Sequence, residues 1–139
     1  MQKIIMFNFI QKCFKKDGKE AMKEYTNTSY GREAWVGVDL DGTLAYFDEK
    51  MTIDTIGEPV PAMLAHVKKM ITNKIKVKIF TARAGDPEQL PLIRQWLKNN
   101  GLPKLEITNI KDYSMQVLYD DRCVQVEKNT GRLISEKIC

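Results

Sequence analysis

Asp39 and Asp41 stand two positions apart in Asp39-Leu40-Asp41-Gly42-Thr43, directly after the apolar run Ala34-Trp35-Val36-Gly37-Val38. Two acids at the end of a buried strand lie near the rim of a parallel sheet, where α/β folds bind ligands. Gly42 supplies the tight turn that lets backbone groups approach a bound anion. Paired carboxylates are costly in such a place without a cation, so the pattern implies a hard divalent ion, Mg²⁺. Further down the chain, Thr81 closes a second apolar run, Val77-Lys78-Ile79-Phe80. Lys111 stands alone after it, and Asp120-Asp121 close a third run, Val117-Leu118-Tyr119.

This ordered set resembles the haloacid dehalogenase-like (HAD) superfamily of phosphotransferases, over roughly residues 34 to 127. The resemblance implies a nucleophile at Asp39 and a general acid/base at Asp41, whose backbone carbonyl helps to hold the metal. It implies a phosphate contact at Thr81, a basic residue at Lys111 that steadies nucleophile and phosphate, and a Mg²⁺ site completed by Asp120 and Asp121. Asp121 is expected as the direct ligand and Asp120 as its support.

That assignment answers a chemical need. The anionic oxygens of a phosphate monoester repel nucleophiles, so positive charge and alignment must come before covalent chemistry. A carboxylate nucleophile divides hydrolysis into formation and breakdown of an aspartyl-phosphate. An acid/base then protonates the leaving oxygen and later deprotonates water.

Thr81-Ala82-Arg83 also resembles a phosphatase motif in which the Arg touches substrate, so Ala82 and Arg83 join the expected substrate-binding set. The other reading of Arg83 is an ion pair with a loop carboxylate such as Asp86. Lys104 competes with Lys111 but reads better as solvating the approach to a strand. Asp120-Asp121-Arg122 resembles the corresponding motif of polynucleotide 3′-phosphatases, although Arg122 reads more simply as a structural ion-pair partner. His66, the only histidine, is far in sequence from every motif and is expected at the surface or in packing. Trp96 is expected in the core.

The elements that must position these residues alternate strand and helix. The chain is therefore read as an α/β fold, a Rossmann-like three-layer sandwich with a mostly parallel central sheet. Strands are expected over 35–40, 75–81, 105–108 and 116–119. A helix over 62–73 is opened by Pro59 and Pro61. A second helix is opened by Pro87 or Pro91 and stopped by Asn100 and Gly101. Residues 124–126 and 132–134 flank Asn129-Thr130-Gly131 as a hairpin at the sheet edge. Residues 1–33 are read as an N-terminal extension, helical or partly disordered, with Ile4, Ile5, Phe7, Phe9, Ile10 and Phe14 on one apolar side. Residues 34–139 are read as the catalytic domain.

With 139 residues, 43% hydrophobic and 29% charged, the chain has the size and balance of one globular domain. Its net charge of +4 suits an anionic substrate and falls short of a nucleic-acid footprint. Cys13, Cys123 and Cys139 are odd in number, widely spaced and without a C-x-x-C pair. They read as thiols of a reducing compartment, and a cytoplasmic location is expected. No run approaches the roughly 20 apolar residues of a membrane span.

A response-regulator receiver uses similar residues, but its acid pair comes first in the chain, whereas here the pair comes last. Dehalogenase chemistry has no need for an acid at Asp41. A non-catalytic HAD-like phosphate-binding domain remains the alternative reading. Neither 43–59 nor 83–111 has room for a helical cap, so an open, capless site is expected. Such a site admits large substrates, or relies on an oligomer partner or the N-terminal arm to exclude water. Arg83 and the Tyr46-Phe47 excursion would border its mouth, where a base can stack for about 1–3 kcal/mol. The expected substrates are phosphorylated small molecules or nucleotides, including 3′-phosphorylated oligonucleotides.

Overall fold

Strand β1, Trp35–Val38, is buried along its whole length, as a central strand with neighbours on both edges must be. The computed structural model describes residues 33–134. The expectations for the apolar arm of residues 4–14, and for Cys13 and Cys139, lie outside the described residues. Glu33 already belongs to the folded part, pairing with Lys76 at 3.1 Å.

The chain leaves β1 through a loop and enters helix α1, Pro61–Thr72. Pro61 occupies its first turn, where a missing N–H costs nothing. Met63, Leu64, Val67, Met70 and Ile71 recur at helical spacing, and Val67 and Met70 are fully buried. Each of those two side chains contributes about 1.5–3 kcal/mol through burial. Strand β2, Val77–Phe80, follows, then a 3₁₀ turn, Ala82–Gly85, and helix α2, Gln89–Asn99.

Pro91 sits inside the first turn of α2 and does not open it; the helix begins two residues after Pro87. At the other end Gly101 takes φ +72°, and the Leu102 N–H donates back to the Leu97 carbonyl at 3.0 Å. This glycine stop matches the expected one. Strands β3, Glu106–Thr108, and β4, Met115–Tyr119, complete the sheet.

All three strand pairings are parallel and the order is β3-β2-β1-β4. The chain therefore builds outward from β1 through β2 to β3, then returns to place β4 on the other side of β1. The ends of β1 and β4 flank the point where the winding reverses, which is where open α/β sheets bind ligands. One sheet face carries Val36, Val38, Val77 and Ile79, packed with Val67, Met70, Ile93 and Leu97 in the core. On the other face Lys78 lies 4.5 Å from the centre of the Trp35 ring and reaches Glu106 at 2.9 Å.

The hairpin expected after β4 shrinks to one bridge, Val126 to Leu133, and pairs with no strand of the sheet. Asn129 and Gly131 do take the positive φ that its turn needs. Among the described residues, no helix is long and apolar enough to cross a membrane.

Candidate functional site

Parallel pairing in register sets Val38 beside Tyr119, so the residues that follow each strand leave the sheet side by side. Asp39, Asp120 and Asp121 are those residues. One carboxylate oxygen from each lies within 4.8 Å of the other two, a spacing at which three hard oxygen donors could hold a metal ion. Thr43 ties the two strand ends together. Its hydroxyl donates to Asp121 Oδ1 at 3.1 Å, accepts the Asp121 backbone N–H at 3.0 Å and stands 3.4 Å from Asp39 Oδ2. Gly42, at φ +87°, carries the turn beneath them, and a Cβ there would stand 2.7 Å from Asp121 Oδ2. A side chain there would take a strained φ and push the Asp121 carboxylate out of place.

Three carboxylates this close repel one another. Burial, and next the charge of Asp120, push the Asp39 carboxyl up to about 7, against a bond from the Leu40 backbone that pulls it down. A cation among the three would relieve the same repulsion.

A cavity of about 610 Å³ opens over this rim. Its lining includes Asp39, Asp41, Thr81, Ala82, Arg83 and Asp120, as the sequence implied, together with Phe47, Met51, Thr52, Ile53, Phe80, Asn109 and Arg122. Thr81 is buried, and its hydroxyl accepts the Arg83 backbone N–H at 3.2 Å, which starts the 3₁₀ turn. Asp41 stands apart from the three clustered acids. Both its oxygens accept from Arg83, Nε at 2.7 Å and Nη2 at 2.9 Å.

The partner of Arg83 is thus Asp41 and not Asp86. The 3₁₀ turn directs the Arg83 side chain back across the cavity, while Asp86 Oδ1 accepts the Glu88 backbone N–H at 3.0 Å. Arg83 also donates through Nη1 to Gln89 Oε1 at 2.8 Å and to the Ile53 carbonyl at 2.5 Å, and through Nη2 to the Thr55 carbonyl at 2.8 Å.

Lys111 is exposed and is not part of the lining; Asn109 from the same loop is. That loop is rooted by Asp112, whose Oδ1 accepts from Trp35 Nε1 at 2.9 Å and from the Ser114 N–H at 2.8 Å. The bond from the Trp35 indole, first among several causes, holds the Asp112 carboxyl below its usual range. Tyr46, expected at the mouth, is exposed and outside the lining, and Phe80 supplies the second ring instead.

Arg122 lines the cavity; its backbone N–H donates to Asp120 Oδ1 at 2.7 Å, and its guanidinium has no hydrogen bond or ion pair among the described residues. His66 packs edge-on against Tyr119, with Nε2 3.2 Å from the phenol oxygen. It has a packing place, as expected. Trp96 is buried in the core, also as expected.

Sequence reasoning missed Thr43, Gln89, Asn109 and Phe80. Thr43 could have been found, since it follows the acid pair through the turn that returns it to the rim. Nothing in the sequence marks Gln89 or Asn109. No family model, curated protein or solved structure matches the chain.

Proposed function

We propose that this chain is a Mg²⁺-dependent phosphomonoester hydrolase, a capless HAD-like phosphatase working through an aspartyl-phosphate at Asp39. The observation that carries this reading is the convergence of Asp39, Asp120 and Asp121 within 4.8 Å, two of which, Asp39 and Asp120, line one cavity with Asp41 and Thr81. An all-oxygen donor set fits Mg²⁺: Asp39, Asp121 and the Asp41 backbone carbonyl would hold the ion, with Asp120 in support. Bound there, the ion would neutralise the phosphate and align it.

The residues then divide the work. An Asp39 carboxylate oxygen attacks phosphorus, and the bond from phosphorus to the leaving oxygen breaks. Asp41 supplies the proton that the leaving oxygen takes. Water next attacks the aspartyl-phosphate, Asp41 accepts its proton, and inorganic phosphate departs with Asp39 restored. The Thr81 hydroxyl, which accepts from Arg83, keeps its own O–H to donate to a phosphate oxygen. Lys111 would reach the phosphate from its exposed loop. Phe47 and Phe80 on the lining favour a substrate with a ring beside its phosphate, such as a nucleotide or a 3′-phosphorylated oligonucleotide end.

Release of phosphate from an aryl phosphate, measured with Mg²⁺ and again with chelator, tests this. Activity is expected only with the ion, and Asp39→Asn should lower it by about 10³-fold or more. A folded Asp39→Asn protein that still turns over, or a wild type without activity on any phosphate monoester, overturns the reading.

A further inference from the structure

Arginine has five N–H donors, and in Arg83 every nitrogen that bears them is engaged. Nε and Nη2 hold the two oxygens of Asp41, Nη2 also reaches the Thr55 carbonyl, and Nη1 bonds the Ile53 carbonyl and Gln89 Oε1. The side chain is only 9% exposed. An arginine that receives a substrate anion must have donors to spare, and this one has none. Its partners come from three places: the turn after β1, the loop between β1 and α1, and the first residue of α2.

We infer that Arg83 is a positioning residue and not a phosphate ligand: it fastens the 53–55 segment to Asp41, and so builds the wall that selects the organic part of the substrate. The fastened segment belongs to the loop that presents Phe47, Met51, Thr52 and Ile53 to the cavity. Ile53 is 63% exposed, so little of its own packing holds it there. Two backbone carbonyls, at Ile53 and Thr55, are fixed by one guanidinium. A charge-assisted fork of this kind sets geometry more firmly than a neutral bond would.

Asp41 gains a fixed rotamer from the same fork. To carry a proton for a leaving group it must release one of the two bonds, so the wall and the acid/base move together. Three of the four wall residues, Phe47, Met51 and Ile53, are apolar, which suits an aromatic or otherwise planar apolar group attached to the phosphate. The selectivity rests on the phosphatase reading; the fastening rests on geometry alone.

Two measurements separate these. Amide hydrogen exchange is followed in wild type, Arg83→Lys and Gln89→Ala. Arg83→Lys keeps the charge but cannot span the five acceptor oxygens of its four partner residues. Gln89→Ala removes a partner of Nη1, the nitrogen that does not hold Asp41, in case Arg83 variants fail to fold. Exchange at residues 52–56 should rise about tenfold or more in Arg83→Lys and less in Gln89→Ala, with the strands still protected. Unchanged exchange there overturns the inference.

Hydrolysis of 2-phenylethyl phosphate is then compared with that of n-propyl phosphate, which share a primary alkoxide leaving group. Wild type should prefer the phenyl compound. Arg83→Lys should lose about fivefold or more of that preference through KM, while inhibition by inorganic phosphate changes by less than about twofold. Equal losses for both substrates, with inhibition by phosphate weakened about tenfold, would make Arg83 a phosphate ligand and overturn the inference. If wild type hydrolyses neither compound nor any other monoester, the phosphatase reading fails, and the exchange result still decides the fastening.

Discussion

Asp41 and Thr43 flank the same glycine and do different work. Asp41 is held by Arg83 through both oxygens, away from the three clustered acids, so acid/base work there begins with the release of one of those bonds. Asp41→Asn should therefore slow hydrolysis of an alkyl phosphate by about 10²-fold or more, and an aryl phosphate with a good leaving group much less. Equal losses on both would mark Asp41 as structural. Thr43 instead aligns Asp121 with Asp39. Thr43→Val keeps the shape and removes the hydroxyl, and should raise the Mg²⁺ concentration needed for half-maximal activity by about tenfold. A metal titration that superimposes on wild type would remove Thr43 from the site. The acids were legible because each follows a strand that its apolar run announces. The partner of Arg83 was not, because a salt bridge across 42 positions depends on a short 3₁₀ turn that carries no periodic signal.

At the scale of elements, the helices and strands were legible where apolar periodicity was strong, and the ends moved by one or two residues. The loop from residue 44 to 60 was the least legible part, since its order comes from single contacts and not from repetition. Ala45 bridges to Pro59, the Tyr46 N–H donates to the Glu58 carbonyl at 2.7 Å, and Trp96 Nε1 donates to the Gly57 carbonyl at 2.7 Å. Gly57 is where this loop closes on itself: a Cβ there would stand 2.0 Å from the Tyr46 carbonyl oxygen. Backbone must shift to make room, so Gly57→Ala should destabilise the fold by about 2 kcal/mol or more, read as a lower denaturant midpoint. Because the same loop carries Phe47 and Met51 to the cavity, the variant should also bind aromatic monoesters more weakly. A stability within about 0.5 kcal/mol of wild type would mean that the loop closes in some other way.

For the whole molecule, the winding reversal between β1 and β4 concentrates negative charge at one rim, and stability should depend on pH through that rim. The Asp39 carboxyl is raised from 3.8 to about 7 by burial first and then by the charge of Asp120, with Asp121 adding to it. Between those two values the folded chain keeps a proton that the unfolded chain has released, so stability falls as pH rises across the window. Above about 7 both forms are ionised and this contribution is flat. In chelator, the melting temperature of wild type should therefore drop between pH 4 and 7 relative to Asp39→Asn, which has no such proton to lose. The two proteins should converge near pH 4, and at pH 8 the variant should be more stable by a few degrees. Mg²⁺ should reverse the order at pH 8, because it binds the ionised carboxylates of wild type and stabilises the folded state by mass action. Its effect should fade toward pH 4, where protons compete for the same oxygens. Parallel pH profiles for the two proteins in chelator would show that the three acids are too well solvated to repel one another, and would remove the electrostatic reason for a cation between them.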